Sequence, residues 1–158
     1  MKQHTHKTNA MRTLDRNRIA YQAHEYVDTD AISGIEVADV LKQNPKQVFK
    51  TLVAVGHSGE HYVYLVPVDC ELDLKKAAAT VGERSVSMVK AKELLPLTGY
   101  VHGGCSPLGM KKPYRTVIDQ TAAGFETIFF SAGKIGYQIE LPLRSLDSVL
   151  IYELADLV

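Results

Sequence analysis

Residues 99–109 read Gly99-Tyr100-Val101-His102-Gly103-Gly104-Cys105-Ser106-Pro107-Leu108-Gly109. Four glycines and a proline in eleven residues rule out a regular helix or strand there. The chain must therefore fold around an irregular loop, with its regular elements on either side. Glycine adopts backbone conformations closed to other residues and lets main chain approach a ligand with its N–H groups bare. Such N–H groups can stabilise the negative oxygen formed when an ester carbonyl is attacked. A tight structural turn accounts for the same residues equally well.

Before this loop, residues 7–17 read as a first helix and residues 21–27 as an extended segment. Ser33-Gly34-Ile35-Glu36 has the spacing of a capping box, so a helix is expected over 37–43, stopped by Asn44-Pro45. Residues 48–55 are rich in branched side chains and read as a buried strand, followed by a turn at 57–60 and a second strand at 61–67. The two should form a hairpin. Asp73 is placed to cap a helix over 74–80. A short strand at 86–89 and a short helix at 90–95, ended near Pro96, complete this half. After the loop, strands are expected at 116–119, 127–131 and 138–141, and helical turns within 143–157. Helices mixed with sequential hairpins imply a mixed α/β fold with a curved sheet, not the regular alternation of a doubly wound domain.

A chain of 158 residues suits one domain and can bury a core without disulfides or metal. Residues 1–10, which include His4 and His6, are polar and read as a flexible lead-in, leaving 11–158 as the domain. They have no apolar core of the kind a secretory signal needs. No run approaches the ~18 apolar residues of a membrane helix. Lys plus Arg equals Asp plus Glu at 18 each, so tight autonomous binding through many phosphates is not expected. The chain can offer only local basic clusters, such as Lys75-Lys76 and Lys111-Lys112. Two cysteines without metal-ligand spacing, and the lack of a phosphate-cradling glycine motif, point to reduced thiols, no metal and no nucleotide cofactor.

Lys50 is the first candidate for chemistry. It stands at the start of an apolar strand, where a charge is costly unless it meets water or a partner. Its ammonium either faces a cleft, to hold a phosphate or a polarised carbonyl, or reaches solvent along its own stem. Cys105 could be a nucleophile only if a base such as His102 lowered its pKa. Ser131, at a strand end before Gly133, either lines a pocket or starts a turn.

These segments, taken in order, resemble the YbaK/ProX family of aminoacyl-tRNA deacylases. The resemblance runs through Val48-Phe49-Lys50-Thr51-Leu52, Leu72-Asp73-Leu74-Lys75-Lys76-Ala77 and Thr98-Gly99-Tyr100. It continues with Gly103-Gly104-Cys105-Ser106-Pro107-Leu108-Gly109, Lys111-Lys112, Ser131-Ala132-Gly133-Lys134-Ile135-Gly136 and Ile139-Glu140-Leu141. It is greatest for the branch that acts on cysteine attached to proline tRNA. The resemblance implies a sheet of six or seven strands with flanking helices, Lys50 as the critical lysine, and Gly103 and Gly104 at the substrate site. Gly104 would act with Lys50 in catalysis. Tyr26, Cys105, Ser106, Pro107, Ser131 and Gln138 would line the substrate pocket. Gln138 departs from the acidic residue that well-known relatives carry, and Cys105 falls at the variable position of G-G-x-S-P, which argues against it as nucleophile.

The function this implies is trans-editing in the cytoplasm: removal of cysteine mischarged on tRNA(Pro). The substrate's own thiol would attack the ester, with no protein nucleophile. The expected partners are the 3′ aminoacylated end of tRNA and, secondly, prolyl-tRNA synthetase. The alternatives are a deacylase for another small amino acid such as alanine, water as the attacking group, or a non-catalytic module that binds aminoacyl-tRNA or a synthetase.

Overall fold

The computed structural model describes residues 7–158. Its elements, in chain order, are α1 (Asn9–Arg16), β1 (Gln22–Glu25), α2 (Gly34–Val40), β2 (Phe49–Gly56), β3 (His61–Pro67), α3 (Leu74–Val81), β4 (Val86–Met88), α4 (Ala91–Thr98), β5 (Arg115–Asp119), β6 (Ile128–Ser131), β7 (Tyr137–Leu141) and β8 (Tyr152–Ala155). Short 3₁₀ turns follow β5 at Gln120–Gly124 and β7 at Leu143–Ser148. His4 and His6 lie outside the described residues. Helix α1 begins inside the segment read as a lead-in: Thr8 caps it through the Met11 N–H, and Ala10 is buried.

The fold is mixed α/β, with eight strands in two sheets where one sheet of six or seven was expected. The larger sheet has the order β4-β2-β3-β5-β8 and the smaller β1-β7-β6. Strands β2 and β3 form the expected antiparallel hairpin, whereas β3 pairs parallel to β5 and β5 parallel to β8. The sheets meet where Val48, just before β2, bridges Phe129 of β6. Strand β3 is central and buried on both faces. Val63 and Leu65 pack toward the smaller sheet, with Phe130 and Ile139, while Tyr62, Tyr64 and Val66 pack under α3. The small side chains of Ala77 and Ala78 let α3 close onto the sheet, and the Tyr64 hydroxyl donates to the Ala77 carbonyl at 2.9 Å.

Local signals hold where their chemistry is local. The Ser33 hydroxyl accepts from the Glu36 amide at 3.2 Å, and Glu36 accepts from the Ser33 amide at 3.0 Å. Asp73 caps α3 through the amides of Lys75 and Lys76, at 3.0 and 3.1 Å. Two elements differ in extent from the reading. Helix α4 continues past Pro96 to Thr98, because the carbonyl Pro96 leaves unpaired belongs to exposed Lys92, where water can satisfy it. The helical turn expected within 143–157 forms at Leu143–Ser148, but residues 152–155 add a strand, β8, that was not expected. Pairing with β5 overrides local preference, and buried Asp119 accepts from the Leu157 amide at 2.9 Å just beyond the strand.

Tyr100 pins the glycine loop. Its hydroxyl donates to the Leu108 carbonyl, and its ring lies against Gly133, where a Cβ would come within 2.6 Å of Cε1. Gly133 has φ of +96°, and so does not suit a side chain for two reasons. Gly59 in the β2–β3 turn has φ of +94° with nothing near its would-be Cβ. Gly59→Ala should therefore cost only the backbone strain, about 1–2 kcal/mol. Gly133→Ala should cost that plus overpacking, about 2–5 kcal/mol in all. Urea unfolding of the two variants measures the difference; equal costs would show that Tyr100 is not a rigid neighbour.

Candidate active site

A cavity of about 260 Å³ opens where the two sheets, α2 and the glycine loop meet. Its size falls below the ~300–1,000 Å³ of pockets for drug-sized ligands, which suits a small acyl group. One wall is the first stretch of β2, Phe49 to Leu52. The opposite wall carries Ser131 and Gln138, which face each other across β6 and β7. Tyr26, Ile32 and the start of α2 contribute another side, and His102, Gly103 and Cys105 of the glycine loop a fourth.

The cavity thus brings together Tyr26, Lys50, Gly103, Cys105, Ser131 and Gln138, from segments widely separated in sequence. Gly104, Ser106 and Pro107 do not line it. The Gly104 N–H donates to the Val101 carbonyl at 3.0 Å, closing a turn in which Gly103 has the positive φ, +86°, that a type II turn requires. That amide is therefore not the free oxyanion donor the sequence suggested. A Cβ on Gly104 would sit 3.1 Å from the Ile135 nitrogen, so this glycine serves the close approach of the loop to the β6–β7 turn. Ser106 is fully buried and accepts from the Leu108 amide at 3.3 Å, a structural bond. Pro107 lines a separate surface depression with Lys112 and Arg115. Among the described residues, no hydrogen bond occupies the amides of Gly103 and Cys105, two of the three loop residues at the cavity.

The Lys50 ammonium stands 3.8 Å from Glu71, whose side chain is 96% exposed. A pair of that length with one partner in water is weak and screened, which leaves Lys50 able to engage a ligand. Ser131 accepts from the Gly133 amide at 3.1 Å and keeps its own proton to donate. Gln138 is 2% exposed, and its amide makes a reciprocal pair with Gln43: Gln43 Nε2 donates at 2.7 Å and Gln138 Nε2 donates back at 2.9 Å. Burial raises the Tyr26 phenol above its ordinary range. Burial also pushes the Cys105 thiol up to about 12. At neutral pH Cys105 is a protonated thiol and a poor nucleophile. Sequence reading missed Gln43, which reaches Gln138 from 95 positions away, and the apolar rim formed by Ile32 and Ile35. Ile32 and Ile35, apolar residues on either side of the Ser33-Gly34 helix start, were the signal the sequence offered.

The described residues contain no group of three or more His, Cys, Asp or Glu able to hold a metal ion. No helix among them is long and apolar enough to cross a membrane.

The cavity sets a lysine and a glycine turn around a space that a small acyl group would fit. The chain belongs to the aminoacyl-tRNA editing domain family, whose model matches residues 29–148, and is by that membership an aminoacyl-tRNA deacylase. It is 40% identical over 152 residues to a proposed Cys-tRNA(Pro)/Cys-tRNA(Cys) deacylase, EbsC of Enterococcus faecalis, covering 96% of this chain and 93% of that protein. It is 31% identical over 117 residues to the proline–tRNA ligase of Kosmotoga olearia, a match covering 73% of this chain and 20% of the ligase. The crystal structure of a proposed trans-editing enzyme for prolyl-tRNA synthetase superposes with a TM-score of 0.80 at 25% identity, covering 97% of this chain and 98% of that one.

Because the Cys105 thiol is buried and protonated, Cys105→Ala should keep kcat for deacylation within about tenfold, whereas loss of a true nucleophile costs on the order of 10⁴-fold or more. Single-turnover deacylation by the variant decides between them.

Proposed function

We propose that this protein removes cysteine from tRNA(Pro), with the domain from α1 onward acting as one trans-editing unit in the cytoplasm. One observation carries the reading. The cavity is sized for a small aminoacyl group, and the ammonium of Lys50 is the one fixed charge among the described residues lining it. The name given to EbsC and the match to part of a proline–tRNA ligase support the choice of cysteine and of proline tRNA. A proline site cannot strongly exclude cysteine on volume alone, because small apolar differences give limited discrimination, so errors must be cleared elsewhere.

In this mechanism the cysteine thiol sulfur attacks the carbonyl carbon of its own ester. The ester C–O bond breaks, the thiol proton passes to the departing ribose oxygen, and a cyclic thioester leaves. Held in the reactive rotamer, the thiol gains the large advantage of intramolecular attack. Lys50 anchors the terminal phosphate or the aminoacyl carbonyl. The free amides of Gly103 and Cys105, not that of Gly104, steady the oxyanion. Tyr26, Ser131 and Gln138 shape the pocket. The partners are the aminoacylated 3′ end of tRNA and prolyl-tRNA synthetase, which would supply the tRNA affinity that a chain of zero net charge lacks.

Lys50→Ala should lower kcat/KM for Cys-tRNA(Pro) by roughly 100-fold or more while urea unfolding stays near wild type. Full activity in this variant would remove the assignment. In the wild type, serine-charged tRNA should be cleared far more slowly than cysteine-charged tRNA, because serine lacks the thiol; comparable rates would point to attack by water.

A further inference from the structure

An aminoacyl ester carries an α-amino group that is largely charged below its ordinary pKa of about 7.7–8. An ammonium brought into an enclosed cavity needs a carboxylate or several acceptors. Here none of the described residues that line the cavity is acidic, and the remaining residues, Met1 to His6, contain no Asp or Glu. The wall's one fixed charge, Lys50, has the same sign as an ammonium and repels it. The carbonyl oxygen of Gln138 already accepts from Gln43 at 2.7 Å, and the other side-chain oxygens in the lining are the uncharged hydroxyls of Tyr26, Ser33, Thr51 and Ser131. The other titratable groups at the cavity are Tyr26, His102 and Cys105. Glu71 meets Lys50 from outside, at 3.8 Å, with its side chain 96% exposed.

We propose that this site takes its aminoacyl ester with the α-amino group uncharged, and that the amine contributes nothing to recognition. An acyl group lacking the amine therefore binds as well or better. The inference rests on the cavity being the aminoacyl site, and it extends that reading to which parts of the substrate are read. The acyl side chain and the ester are sensed; the feature common to all amino acids is not.

The test uses two inert amides of 3′-amino-3′-deoxyadenosine, one carrying a 2-aminobutyryl group and the other a butyryl group. They differ only in the amine. Their dissociation constants from the purified protein are measured by calorimetry at about pH 6 and about pH 9, on either side of the α-amino pKa. The ratio of the two constants at each pH removes whatever affects both compounds alike. At pH 6 the butyryl compound should bind roughly tenfold tighter or more, and by pH 9 the two should agree within about threefold. Equal binding at pH 6, or tighter binding of the aminobutyryl compound there, would overturn the proposal. Failure of both compounds to bind at either pH would instead remove the assignment of the cavity. Gln138→Glu places a carboxylate in the wall beside the Gln43 amide, and should turn the pH 6 preference toward the aminobutyryl compound. An unchanged ratio in that variant would count against the proposal.

Discussion

The glycine loop and the β6–β7 turn meet almost backbone to backbone, and Tyr100 wedges between them. Its hydroxyl donates to the Leu108 carbonyl while its ring fills the space that a side chain at Gly133 would need. A Cβ at Gly109 would come within 2.8 Å of the same hydroxyl. Gly104 in turn lies against the Ile135 nitrogen. Three glycines and one tyrosine therefore set the distance between two loops that carry no regular structure. Ser131 and Gly103, which flank this contact in sequence, line the same cavity because of it.

Against that frame, β2 supplies the charge. Its first residues leave the larger sheet's core at the place where Val48 bridges to Phe129 of the smaller sheet. Phe49 is buried in the core, so the strand is anchored, while Lys50 keeps 27% of its side chain exposed. The result is one cation held by a rigid strand at the mouth of an otherwise neutral pocket. Such a group costs little in stability, because it is not fully desolvated, yet it is positioned before a ligand arrives. The reciprocal amide pair of Gln43 and Gln138 completes the opposite wall without adding charge.

Much of this was legible in the sequence, and the boundary falls between local and distant chemistry. The capping box at Ser33, the cap at Asp73 and the β2–β3 hairpin depend on residues a few positions apart, and they formed as read. Lys50 and Ser131 stood out by their places in the chain, Tyr26 and Gln138 through a resemblance of whole motifs, and one cavity gathers all four. What the sequence did not disclose depends on partners far along the chain. Strand β8 exists because β5 offers it a parallel neighbour. The division into two sheets follows from which strands pair, not from any segment alone. The role of Gly104 was misjudged for a different reason: a glycine pair signals a tight main-chain turn but does not say which of its two amides the turn itself consumes.

The parallel pairing of β3 with β5 has a consequence for how the site comes into being. The connection from Pro67 to Arg115 is one long crossover, and it contains α3, β4, α4 and the whole glycine loop. Contacts that join such distant stretches form slowly, since the intervening chain must give up its freedom before they reward it. The glycine loop lies inside this crossover, so the pocket it lines is built on contacts of long sequence separation, the kind that limits how fast a chain folds.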